Sequence, residues 1–277
     1  MLKQRVLTAL VLAPLIVALV FLTDTLIFAV LIGAIFLAGL WEWTRMSGMR
    51  HRPLRALLLL AYAVVMVLLW GVARSPWWWL PSLIGVVWWL CAALWLRNIR
   101  FAATITRAHT ALKLLAGLLV VIPAWCAVVA LHGGPMAHPP PNSAWWVIFF
   151  AGIVVAADSG AYFAGTRFGG RKLAPMISPG KTWAGVYGAL ACAAVIGLAG
   201  GWITHASPLL LLGVIALALV TVAFSIVGDL FESLIKRHAG VKDSGALFPG
   251  HGGLFDRMDS IVAALPVFVL GKALLGL

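Results

Sequence analysis

Residues 208–237 read PLLLLGVIALALVTVAFSIVGDLFESLIKR. About 20 residues pass without a charge, and then Asp229, Glu232, Lys236 and Arg237 arrive within about three helical turns. At 1.5 Å rise per residue, about 20 apolar residues cross a hydrocarbon core of about 30 Å. The stretch therefore reads as a membrane-spanning helix that runs on into water. Its apolar part is continuous, not alternating, and lipid admits only helices or closed barrels, so strands are not expected.

The rest of the chain repeats this pattern. Of 277 residues, 63% are hydrophobic and 10% charged, and the mean hydropathy is +1.06. Ordinary soluble domains are about 45–50% apolar and about 25% charged, so soluble and disordered classes are excluded. Nine apolar segments are predicted as helices: 6–22, 25–43, 56–73, 77–96, 112–131, 144–165, 183–204, 208–231 and 260–276. The first follows Lys3 and Arg5 as a signal peptide would. No small-x-small cleavage site precedes Thr23 and Asp24, and further spans follow, so it is read as retained. The expected fold is all-α and polytopic, with about nine transmembrane helices. Residues 1–145 are expected to be scaffold, and residues 146–277 to carry the catalytic loops, within one membrane unit.

The formal net charge of +12 would suggest nucleic acid in a soluble protein. Here its distribution argues for topology and against a nucleic-acid partner. With the N-terminus in the cytoplasm and spans alternating, all but Arg74 and Lys272 of the 20 Lys and Arg fall on the cytoplasmic side. The C-terminus is then expected on the far face. The tryptophans beside Pro76 and Pro81, and most of the others, are expected at the interface or facing lipid. Cys91, Cys126 and Cys192 lie in apolar runs without metal or disulfide spacing and read as small buried hydrophobes.

The informative minority is acidic. Only Asp24, Glu42, Asp158, Asp229, Glu232, Asp243, Asp256 and Asp259 carry negative charge, and five of them lie within residues 229–259. Carboxylates in or beside apolar helices are costly and point to function. Asp158 lies deep in the sixth apolar run. Asp229, Glu232, Ser233 and Lys236 are offset by 0, 3, 4 and 7 and share one helical face. Asp256 and Asp259 open the ninth helix. Near them, glycines allow a backbone to approach a phosphate closely, and His251 is a candidate phosphate donor. Such hard oxygens suit Mg²⁺, which takes one or two carboxylates plus substrate phosphate oxygens.

The loop Ser178-Pro179-Gly180-Lys181-Thr182 ends like a P-loop. Pro175 stands where that motif needs glycine and no strand precedes it, so the P-loop is rejected. What remains is a basic, hydroxyl-bearing loop at the mouth of the seventh helix, whose N-terminal N–H groups favour anions. Acids for metal, cations for phosphates and glycines for close approach suggest a membrane enzyme of phosphoryl or nucleotidyl transfer.

The run Ser233-Leu234-Ile235-Lys236-Arg237, then Lys242-Asp243-Ser244-Gly245, then Phe248-Pro249-Gly250-His251-Gly252-Gly253-Leu254-Phe255-Asp256-Arg257-Met258-Asp259 resembles the signature of phosphatidate cytidylyltransferases, the CDP-diacylglycerol synthases. Asp158 with Ala161 and Tyr162, the 178–182 loop, and Gly228-Asp229-Leu230 also resemble family blocks. The likeness covers about the C-terminal half. Ala184 departs from it, since relatives often carry Glu or Gln there. The resemblance implies transfer of CMP from CTP to phosphatidate, with release of pyrophosphate, in phospholipid biosynthesis. It further implies Mg²⁺ dependence, with a second cation as an option, and a homodimer in the inner (cytoplasmic) membrane. Metal ligation is then expected from Asp158, Asp229, Asp256 and Asp259. Substrate contacts are expected from Ser178, Lys181, Thr182, Ser233, Lys236, Arg237, Gly252 and Gly253. Catalytic roles fall to Lys242, Asp243, His251 and Arg257.

The rival class is a cation-coupled transporter, which would explain many spans and an intramembrane Asp158. It predicts charges near the midplane, often in repeated halves. Here the acids gather at the inner ends of late helices, and no matching halves are seen.

Overall fold

The computed structural model describes residues 14–72, 77, 79–133, 143–203, 205–245 and 252–277. Among these the chain is helical from 14 to 22 (α1), and then in α2 (Thr25–Met46), α3 (Arg52–Val72), α4 (Leu80–Trp95), α5 (Arg107–His132), α6 (Ser143–Phe168), α7 (Trp183–Ile203), α8 (Pro208–His238) and α9 (Asp259–Leu274). Each helix falls on one of the nine apolar segments. Six of them, α2, α3, α5, α6, α7 and α8, are long and apolar enough to cross a membrane. The protein is thus all-α and polytopic. Helix α8 has 31 residues, about 46 Å of rise, which carries its charged end beyond a core of about 30 Å.

One element departs from expectation. The 172–182 segment is a short antiparallel hairpin, β1 (Lys172–Ala174) pairing with β2 (Ser178–Thr182). Strands were excluded because lipid leaves no partner for an open edge. This hairpin joins two helix ends, where that constraint does not apply.

Among the described residues, contacts join the connecting segments at each end of the bundle. At one end Arg45 Nη2 donates to Ser244 O (2.8 Å), Arg237 Nε to Ile177 O (3.1 Å) and His238 Nε2 to Ile99 O (2.7 Å). These bonds join the segments after α2, α4, α6 and α8. At the other end Phe21 meets Trp145 edge-on at 4.8 Å, His132 Nε2 donates to Val20 O (2.9 Å), and Lys272 Nζ lies 4.6 Å over the Trp146 ring.

Trp77, Trp145, Trp183 and Trp202 are exposed, as expected of most tryptophans, but Trp43, Trp89, Trp95 and Trp125 are buried in the core. Trp43, Trp88, Trp89 and Trp95 surround Phe231 with ring centroids 5.4–6.0 Å away. Trp43 and Trp125 donate their indole N–H groups to Lys113 O (2.7 Å) and Ala29 O (2.9 Å), tying α2 to α5. Hydropathy does not reveal this role, because an indole serves a buried interhelical bond as well as an interface. Of the cysteines, all free, Cys91 is exposed and not buried. Helices α6 and α7 cross closely at Gly160 and Gly188, where a Cβ on either would strike the backbone of the other. That contact brings Asp158 on α6 over the hairpin and α8.

Candidate active site

Helix α8 positions the first half of the site. The Gly228-Asp229 step leaves the apolar run, and Asp229 turns toward a cavity of about 300 Å³ between α6, α7, α8 and β2. Asp158 from α6, Lys181 and Thr182 from β2, Ser225 from α8 and Ser260 from α9 line it too. Lys181 Nζ pairs with Asp229 Oδ2 at 2.5 Å. Thr182 is buried and its Oγ1 accepts from Gly185 N (3.1 Å), which fastens the first turn of α7. Ser233, one turn beyond Asp229, donates to Asp229 Oδ1 (3.4 Å). Asp259 is buried at the start of α9, with Oδ1 accepting from Ser260 N (2.7 Å).

Two turns further along α8 stands a second cluster. Lys236 Nζ lies 2.5 Å from Glu232 Oε2 and 2.7 Å from Asp256 Oδ1. Asp256 sits in a 3₁₀ turn (Phe255–Arg257). Its carboxylate also accepts from Ser244 N (2.9 and 3.1 Å) and Gly253 N (2.7 Å). Burial pushes the Asp256 carboxyl up, but hydrogen bonds from Lys236 and the Gly253 N–H, with the Lys236 charge, outweigh it. The net result is a group held below its ordinary 3.8. Gly252 is left-handed (φ 80°), and a Cβ there would meet Asp256 Oδ2. The groups the signature glycines approach in this structure are therefore carboxylates of the chain itself.

The predicted residues thus divide. Asp158, Lys181, Thr182 and Asp229 share the cavity. Lys236, Asp256, Gly252 and Gly253 form the neighbouring cluster, with Ser233 between the two and Asp259 buried beside them. Arg237, Lys242, Asp243 and Arg257 are exposed at the same end, and Ser178 opens β2. None of these five lines the cavity. His251 lies outside the described residues. Sequence reasoning missed Glu42 and Arg45 of α2, which reach into the second cluster: Glu42 Oε2 accepts from Ser244 Oγ (2.7 Å) and Phe255 N (2.9 Å). The available signal was an isolated acid in an apolar helix.

Among the described residues no three His, Cys, Asp or Glu side chains converge tightly enough to hold an ion by themselves. Asp158 and Asp229 nevertheless present hard oxygens to one cavity, and two carboxylates completed by phosphate oxygens are a donor set that suits Mg²⁺.

The comparisons with known proteins agree with the signature. A model of the cytidylyltransferase family matches residues 3–274. The chain is 42% identical over 275 residues to a phosphatidate cytidylyltransferase of Pseudomonas aeruginosa, covering 97% of this chain and 96% of that one. It is 38% identical over 284 residues to the Haemophilus influenzae protein of the same name, covering 97% of each. To that of Brucella suis it is 32% identical over 283 residues, covering 99% and 94%. The N-terminal half, where only hydropathy suggested a likeness, is included in these matches. A helical membrane protein whose few acids meet its lysines at one end of the bundle, and which matches along nearly its whole length, belongs to the cytidylyltransferase family.

Proposed function

We propose that the chain transfers the cytidylyl group of CTP to phosphatidate, giving CDP-diacylglycerol and pyrophosphate in phospholipid biosynthesis. The observation that carries this reading is the juxtaposition of Asp158, Lys181 and Asp229 in one cavity at the charged end of membrane helices, in a chain of this family. The names of the relatives supply the substrates.

The lipid phosphate is already anionic near neutral pH, so no general base is needed. Its oxygen attacks the α-phosphorus of CTP, a P–O bond forms, and the bond to pyrophosphate breaks. The protein's share is positioning and charge neutralisation. Lys181 holds a phosphate oxygen in the cavity, while Lys236, Lys242, Arg237 and Arg257 make the surrounding end positive. Asp158 and Asp229 would hold Mg²⁺, which would supply neutralisation of the phosphate oxygens. On this reading the site and the N-terminus face the cytoplasm, the chain lies in the inner membrane, and it works as a homodimer.

The test uses detergent-purified protein with radiolabelled CTP, phosphatidate and Mg²⁺. Label entering the lipid phase, and none in EDTA, is the expected result. Ion flux in proteoliposomes without labelled lipid would replace this reading with the transporter.

A further inference from the structure

We propose that Glu42 is a positioning residue: from α2 it fixes the Ser244 hydroxyl as a donor and, through Ser244, sets the Asp256 carboxylate against Lys236 for cytidylyl transfer. The proposal rests on the function proposed above.

The geometry is a relay with few alternatives. Glu42 is 9% exposed and Ser244 wholly buried. Glu42 Oε2 receives two donors, Ser244 Oγ (2.7 Å) and Phe255 N (2.9 Å). With its proton committed to Glu42, Ser244 Oγ accepts from Asp256 N (3.2 Å). Ser244 N in turn donates to both Asp256 oxygens, and Asp256 Oδ1 receives Lys236 Nζ. Arg45, one turn beyond Glu42, donates to Ser244 O (2.8 Å), so α2 grips this residue twice. Gly245 and Gly253 leave the space the carboxylate fills, since a Cβ at either would press on Glu42.

The two donors require an acceptor oxygen at this point. An ionised acid only accepts, which matches two converging donors. Alanine at 42 removes the acceptor and frees the Ser244 hydroxyl, whereas a glutamine can keep both bonds by presenting its amide oxygen where Glu42 Oε2 stands. A carboxylate in so apolar a helix costs free energy, and charge-assisted bonds offset that cost.

The test compares full-length wild type, E42A, S244A and E42A/S244A in detergent. Hydrogen exchange read by mass spectrometry should speed about tenfold or more in peptides spanning 242–257 of E42A, with α6 peptides unchanged. In the CTP–phosphatidate assay kcat should fall about tenfold or more, while KM for CTP stays within about twofold. The double variant should be no slower than S244A, because both changes remove one relay. If E42A does not insert, S244A carries both measurements. Unchanged exchange over 242–257 overturns the proposal whatever the reaction. So does wild-type kcat in a folded variant, or losses that multiply in the double variant. Wild-type protein that makes no nucleotide-activated lipid refutes the functional reading instead, and the exchange result still decides the positioning claim.

Discussion

Replacing Lys236 with Met removes the cation between Glu232 and Asp256 while keeping a stem of similar length. Lys236 and Asp256 are each 12% exposed at the side chain and Glu232 1%, with the ammonium 2.5 and 2.7 Å from the two acids. These are buried pairs, so the small worth of a surface ion pair does not apply. Breaking a buried pair by removing one partner costs about 3–5 kcal/mol, because the other is left uncompensated. At roughly 2–4 °C per kcal/mol for a chain of this size, K236M should lower the apparent melting temperature by on the order of 10 °C. Removing an acid together with the cation is the informative control. In E232Q/K236M, Asp256 still receives the Ser244 and Gly253 N–H groups, so about half of the loss should return. Tryptophan fluorescence on heating in detergent reads both variants. A K236M protein melting within about 2 °C of wild type would refute the reasoning. So would a double variant less stable than K236M, since either result means the ammonium does not balance these acids.

The cavity makes different demands. D158N and D229N should each lower turnover of labelled CTP about 100-fold or more, with melting near wild type; normal turnover in either removes that residue from the site. Lys181 and Asp229 are 25% and 37% exposed at the side chain, so their pair adds at most about 1 kcal/mol to stability. K181A should therefore melt like wild type and yet lose about 100-fold in turnover; a large drop in melting temperature with normal turnover would reverse the assignment. Asp256 gives a pH test in EDTA. Its folded carboxyl lies below the ordinary 3.8, so its stabilisation is present above that pH and is lost as pH falls through the lower folded value. The melting-temperature gap between wild type and D256N should be widest above pH 3.8 and close below it. A gap that widens on acidification would contradict the direction of the shift.

Helix positions were legible because burial in lipid leaves one solution for the backbone, and the lone charges mark the ends of each run. The hairpin was not, because Lys172–Thr182 is too short and too polar to show an alternating pattern. The buried tryptophans, Trp43, Trp89, Trp95 and Trp125, were not legible for a related reason: residue type tells how much apolar surface an indole carries, not which neighbour it meets. For the site, the spacing of Asp229, Ser233 and Lys236 predicted a shared face, and Ser233 does bond Asp229. Glu42 stayed hidden because its partners, Ser244 and Phe255, lie 202 and 213 residues away. No local pattern encodes a contact of that range.

Helix α8 explains how the two clusters can act as one unit. Asp229 and Lys236 are seven residues apart, about 10 Å along one rod, so each fixes the other's height. Lys181 ties the hairpin to the first position and Asp256 ties the signature turn to the second. Among the described residues, the polar links from α2 to the site enter at the second, through Glu42 and Arg45 to Ser244 and Phe255. Disturbing α2 should then act on the Asp256 side and spare the packing around Asp158, which depends on α6, α7 and the Gly160–Gly188 crossing. The two halves of the site are thus separable by mutation even though one helix carries both. A substitution in α2 that loosened α6 before the 242–257 segment would mean that α8 does not transmit position in this way.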